Sequence, residues 1–140
     1  MSGPASLLLE MRFAARAEEL QGVRDAVREQ AASQGCGAEC AGDIAMAVDE
    51  ACQNIIRHGY RWDPEGTIEL RMERSGQELV LFLADSAPTV DPARVKPRSL
   101  DEPRPGGIGT HLIRTVMDQA EFVKTSSEGG NLLRMVKRIR

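Results

Sequence analysis

A chain of 140 residues with 41% apolar and 28% charged side chains is long enough to bury one core and too apolar to stay disordered. A formal net charge of -3 excludes a dedicated nucleic-acid binder, which needs a strongly basic face, and no run approaches the ~18 apolar residues that span a bilayer. The opening MSGPASLLLEMRF carries neither a basic leader nor a long apolar stretch, so a cytoplasmic protein is expected, with no nucleic acid and no membrane among its direct partners.

In chain order, LLLEMRF (residues 7–13) predicts a first strand, and AEELQGVRDAVREQAASQG then places Leu20, Val23 and Val27 at helical spacing before a glycine stop. Cys36, Cys40 and Cys52 make an odd set without a disulfide framework, which agrees with a reducing compartment. A metal reading of CGAEC needs partners, and the chain has only two histidines and no second cysteine pair, so the stretch reads as a loop opening a helix. Asp43 is a suitable N-cap for that second helix, whose buried stripe is Ile44, Val48, Ala51 and Ile55.

TIELRMER alternates Ile68, Leu70 and Met72, a short SGQ turn follows, and ELVLFLAD is a second apolar strand ending in an acid, together a hairpin. From Ala84 to Gly107 the pattern dissolves, and five of the seven prolines fall there: Pro88, Pro92, Pro97, Pro103 and Pro105. A structureless connection of more than about 12–15 residues in so small a domain is usually a functional lid or a disordered segment. GGIGTHLIRTVMDQA predicts a third helix with Ile108, Leu112 and Val116 on one face and Ile113 a further candidate; EFVKT, an SSEGG turn and NLLRMVKRI close the chain as a second hairpin. The basic end, RMVKRIR, alternates its charges with Met135, Val136 and Ile139, as a strand with one solvated face does. Hairpin-joined strands with helices gathered on one face describe an α+β fold, a two-layer sandwich with a mixed, mostly antiparallel sheet.

Three stretches carry chemistry. DEACQNIIRHGY sets Glu50, Asn54 and His58 four residues apart on a helix shoulder. An amide oxygen is enough protein ligand for Mg²⁺ when a nucleotide supplies phosphates, and a carboxylate one turn earlier can accept the proton of an attacking hydroxyl. Alone, this spacing also suits a polar helix edge. Asp85 ends an apolar strand, where it can accept a hydrogen bond from an exocyclic amine such as adenine's or simply begin a turn. RPGGIGTHL supplies glycines directly before a helix, whose free N–H groups attract phosphate oxygens; neither of the stronger phosphate signatures occurs. The order of the three, with a proline-punctuated lid between the second and third, reads as one nucleotide site.

On these motifs the chain resembles the Bergerat-fold ATPases of the gyrase, heat-shock chaperone, histidine kinase and MutL superfamily. The likeness is greatest to the anti-sigma-factor serine/threonine kinases of bacterial partner switching. It implies a single histidine-kinase-like ATPase domain over residues 1–140, with an ATP lid at about 86–106 that folds over the triphosphate. It also implies Glu50 as catalytic base, Asn54 as Mg²⁺ ligand, His58 bordering ATP or ADP, Asp85 reading adenine, and Gly107 and Gly109 at the phosphates. The backbone of Ile108, Thr110 and His111 completes that cradle, and Arg104 either reaches a terminal phosphate or stays solvated. Two positions depart from the family pattern: Asp85-Ser86-Ala87 stands where D-x-G is common, and Gly130-Asn131 where a Gly-Thr is common at the adenine pocket, with Asn131 still able to donate or accept.

The implied activity is double. Such a protein sequesters a sigma factor and uses MgATP to phosphorylate a Ser or Thr of a small antagonist protein, usually as a homodimer. A nucleotide-binding module that holds its partner without phosphotransfer is the alternative, against which the retained Glu50 argues. The catalytic domain of a sensor histidine kinase fits less well, since neither His58 nor His111 lies on a preceding dimerisation helix.

Overall fold

A computed structural model describes residues 5–86, 108–123 and 130–139, and there the apolar periodicities resolve into five strands and three α-helices. Strand β1 (Ser6–Ala14) leads through a short 3₁₀ turn into α1 (Leu20–Ser33), and α2 (Ala38–Asn54) runs on into a π-helical turn (Ile55–Gly59). Then follow β2 (Thr67–Ser75), β3 (Glu78–Asp85), α3 (Ile108–Val116), β4 (Gln119–Val123) and β5 (Asn131–Arg138). The sheet order is β1-β2-β3-β5-β4. All four pairings are antiparallel, so the expected α+β sandwich is present, with no parallel pair among the described strands.

Alternation decides which face of the sheet is covered. Ile68, Leu70 and Met72 of β2, Leu79, Leu81 and Leu83 of β3, and Leu133 and Met135 of β5 are buried in one cluster with Val23 and Val27 of α1 and Ile44 and Val48 of α2. Truncating one such Leu or Ile to Ala costs about 2–5 kcal/mol in transfer and cavity terms. The opposite face is polar at its margins: the register carries Glu10 to Arg71, Phe82, Arg134 and Glu121 across all five strands. Its ion pairs are solvated, as Arg12–Glu69 at 3.9 Å shows with side chains 71% and 59% exposed. Such pairs are worth about 0–1 kcal/mol.

Three details differ from the sequence reading. Helix α2 starts at Ala38, so Asp43 lies inside it and not at its cap. Gly37 is left-handed (φ +88), its carbonyl accepts from Ala41 N at 2.9 Å, and a Cys36–Cys40 disulfide with a Cα–Cα distance of 5.5 Å closes that first turn. Residues four apart across a helical turn are near enough to bond without any multi-bridge framework, so the reading of these cysteines as an unbridged loop is corrected. Among the described side chains of α3 the buried one is Ile113, joined by Met117 just past the helix end, while Leu112 and Val116 are only half-buried. The helix stops at Val116, where Met117 N donates to Ile113 O and Asp118 N to Val136 O, and these bonds turn the chain into β4.

Candidate active site

The sheet has two ends, and the predicted residues gather at one. Asp85, at the end of β3, pairs with Ile68 at the start of β2 and with Asn131 at the start of β5. Asn131 Nδ2 donates to Asp85 Oδ1 at 3.1 Å. Gly130 precedes it in a left-handed conformation (φ +96), where a Cβ would meet the Asp85 carbonyl oxygen at 2.7 Å. A side chain at 130 would therefore push the carboxylate-bearing strand away, so glycine is required at this position. The first α2 turn lies at the opposite end, where its disulfide lines a cavity with Asp118, Lys137 and Arg138.

Tyr60 joins α2 to this end of the sheet. Its hydroxyl donates to Thr67 O at 2.7 Å and accepts from Ser86 N at 2.7 Å, so one oxygen fixes both the start of β2 and the residue after Asp85. The ring lies flat on Gly66, where a Cβ would stand 2.6 Å from ring carbons. The π-helical turn delivers Tyr60 to that position: Tyr60 N donates to Ile55 O, and Trp62 N to Ile56 O. Arg61 (φ 51) and Trp62 (φ 67) are consecutive left-handed residues, a backbone state that costs about 1–3 kcal/mol each for side chains other than glycine and that clusters at functional sites. The wider turn also interrupts the regular helix between Asn54 and His58. Glu50 and Asn54 remain on the same helix face, but His58 is exposed, and Ile56 replaces Ile55 as the fully buried residue.

The two acids side by side on α2 are held differently. Asp49 is occupied by Arg24 Nη1 at 2.6 Å and by Gln53 Nε2 at 2.6 Å. Burial, then the charge of this Asp49, pushes the Cys52 thiol up from its ordinary range, which makes Cys52 an inert core residue. Glu50 Oε1 accepts instead from Arg57 Nη2 at 3.2 Å, and the same nitrogen donates to Asn54 Oδ1 at 3.1 Å. Because a guanidinium only donates, the amide must turn its oxygen, not its NH₂, towards this point. Two oxygens one helical turn apart thus converge on a cation, the donor set that suits Mg²⁺ when phosphates complete the shell. No group of three or more His, Cys, Asp or Glu side chains that would hold a metal by itself occurs among the described residues.

Gly109 is in the first turn of α3, and His111 is exposed one residue beyond Thr110. Helix α3 packs on α2 and delivers the chain to β4 at Gln119, which pairs with Val136 near the far end of β5. The C-terminal end of α3 is thereby fixed at the sheet end away from Asp85, where Asp118 N donates to Val136 O. Arg104, Gly107, Ala87 and nearly all of the expected lid lie outside the described residues, as do the side chains at 108–110. The motif reading missed Arg57, although its spacing of three from Asn54 and seven from Glu50 placed it on the same face. It also gave no role to the Tyr60–Gly66 contact, which depends on the loop closing and leaves no periodic signal.

Comparison with known proteins identifies the family to which this fold belongs. The model of the histidine kinase-like ATPase domain family matches residues 13–137. Over 137 residues the chain is 27% identical to the serine-protein kinase RsbW of Bacillus velezensis, covering 92% of this chain and 84% of that protein. Over 139 residues it is 28% identical to the RsbW of Staphylococcus epidermidis, covering 93% and 87%. The crystal structure of the RsbU and RsbW domains of a Mycobacterium tuberculosis protein has the same fold, with a TM-score of 0.66 at 18% identity over 98% of this chain. This chain spans 32% of that longer molecule. With the family's pattern running from the first strand to the last, the chain belongs to the histidine kinase-like ATPase domain family.

Proposed function

We propose that this protein is an anti-sigma factor and an ATP-dependent serine/threonine protein kinase of the partner-switching type, acting as one domain over residues 1–140. The observation that carries the reading is the convergence of Glu50 and Asn54 oxygens on one point, at the end of α2 that Tyr60 ties to the strand end bearing Asp85 and Asn131. Its two partners are a sigma factor, which it sequesters, and a small antagonist protein, which it phosphorylates; the working unit is a homodimer. The similarity to RsbW kinases over most of both chains supports the class of reaction.

In that reaction the hydroxyl oxygen of the antagonist's Ser or Thr bonds to the terminal phosphorus of ATP, the bond from that phosphorus to the ADP oxygen breaks, and Glu50 takes the hydroxyl proton. Asp85, steadied by Asn131, accepts from the adenine amine; the N-terminal backbone of α3 and the glycines before it receive phosphate oxygens. Asn54 would hold Mg²⁺, which supplies charge neutralisation at the phosphates. His58 borders the nucleotide, the backbone of His111 completes the phosphate cradle, and Arg104 would reach the terminal phosphate. Phosphorylation adds roughly -1.5 to -2 charge to the antagonist, enough to break an apolar contact with the kinase and leave the sigma factor captive. No described helix is long and apolar enough to cross a membrane, and the reading places the protein in the cytoplasm.

The test is phosphotransfer from ATP labelled in its terminal phosphate to the antagonist protein encoded nearest to the chain, with Glu50→Ala alongside. Label on a Ser or Thr that disappears in the variant is expected. Tight nucleotide binding and complex formation without transfer would leave a nucleotide-dependent interaction module in its place.

A further inference from the structure

Arg57 stands where the chemistry of this site needs room. Its Nη2 bonds both the carboxylate of Glu50 and the amide oxygen of Asn54, at 3.2 and 3.1 Å. Those are the two atoms that the nucleotide-site reading assigns to the proton and to Mg²⁺. The pair is partly shielded from water, with the Arg57 side chain 37% exposed and that of Glu50 19%. Arg57 Nε is buried without a hydrogen-bond partner among the described residues. A buried N–H left unpaired is a penalty on this arrangement, so the clamped rotamer is a state poised to be left. The turn that presents Arg57 is the irregular one, Ile55–Gly59, which is followed after Tyr60 by the left-handed pair Arg61–Trp62.

We propose that Arg57 is a resident surrogate cation: in the nucleotide-free protein it holds Glu50 and Asn54 in their working orientation, and Mg²⁺ arriving with ATP displaces it. The proposal rests on the nucleotide-site reading and deepens it. Two consequences follow from charge alone. A metal ion on Asn54 Oδ1 and a guanidinium on the same oxygen repel, so the two occupancies exclude one another. Glu50, meanwhile, gives up a paired cation only when the nucleotide is in place, which withholds the base from an empty site. Arg57 is a positioning residue in this scheme; it acts through Glu50 and Asn54.

Competition of this kind appears in the metal dependence of binding, apart from turnover. A clamp closed about nine-tenths of the time raises an apparent dissociation constant about tenfold over that of the open site. Calorimetric titration of ATP at stepped Mg²⁺ concentrations, on the wild-type chain and on Arg57→Met, measures this directly. Methionine keeps an unbranched apolar stem and removes the charge. The Mg²⁺ midpoint for tight ATP binding is expected to fall about tenfold in the variant, with thermal unfolding reporting that it is folded; a midpoint that stays or rises overturns the proposal. The wild-type chain gives a second readout that needs no variant, the Nε–H resonance of Arg57. Its shift on adding MgATP supports displacement, and an unmoved resonance with ATP demonstrably bound rules it out. A wild-type chain that binds no ATP at any Mg²⁺ concentration defeats the nucleotide-site reading first, and the surrogate cation with it.

Discussion

The two ends of helix α2 are built on opposite principles. At the first, Gly37 turns the chain, the Cys36–Cys40 disulfide staples the opening turn, and regular hydrogen bonding begins at once. At the other, about 25 Å away for 17 residues at 1.5 Å each, the helix loosens into a π-helical turn and two left-handed residues. Glu50, Asn54 and Arg57 stand at this second end, and Tyr60 ties it to the sheet. The pinned end gives the helix a fixed origin, and the irregular end concentrates strain where side chains must be aimed. Regularity marks what the fold needs, and departure from it marks what the chemistry needs.

Each end can be broken separately. The largest effect belongs to the irregular end: Glu50→Gln should lower phosphotransfer by about 10²–10⁴-fold, the worth of a positioned general base, while thermal unfolding stays near that of the wild type. Next comes Gly66→Ala, whose new methyl must displace the Tyr60 ring. It should cost about 1–3 kcal/mol and weaken ADP binding as well, because the same tyrosine holds Ser86; a variant that melts lower yet binds ADP normally would disconnect Tyr60 from the site.

At the pinned end, Cys36→Ser should cost about 2 kcal/mol through the short closed loop, and leave the turnover of the folded protein unchanged. Loss of activity in proportion to the label-free fraction folded is the pass condition, and a separate fall in turnover would show that the two ends communicate. Thiol titration sharpens the point: reduction should expose two reactive thiols, with Cys52 joining only on unfolding, since it is fully buried. The smallest effect is at the outward side of the same helix, where Met46 is 47% exposed and Met46→Gln should change stability by about 0.5 kcal/mol or less.

Much of this was written in the order of residues. Period-two alternation in β2 and β3 and the spacing of Leu20, Val23 and Val27 fixed which sides are buried, because those patterns are what one-sided burial demands. Glu50, Asn54 and Asp85 were legible as candidates, since charged and amide groups at the edge of apolar runs need a reason, and Asn131 through the family pattern it departs from; the structure sets one Arg57 nitrogen between the first two and bonds Asn131 to Asp85. Less legible were features made by closure in three dimensions. The π-helical turn that follows Asn54 and carries His58 has no sequence period of its own. Nor does the seating of Tyr60 on Gly66, six residues away through a loop. The early start of α2 was hidden because Asp43 offered a plausible cap, while Gly37 and the bridged cysteines gave the chain a different one.

Trp62 has a practical consequence. It is the protein's only tryptophan, it is 64% exposed, and its backbone N–H is bonded to Ile56 within the turn that carries Arg57. The molecule therefore comes with one native fluorophore, fastened to the segment that carries Arg57 and free of any background from a second indole. Emission and quenching can follow that turn in unlabelled, unmodified protein, at the concentrations and on the millisecond timescale at which a switch between partners would be watched.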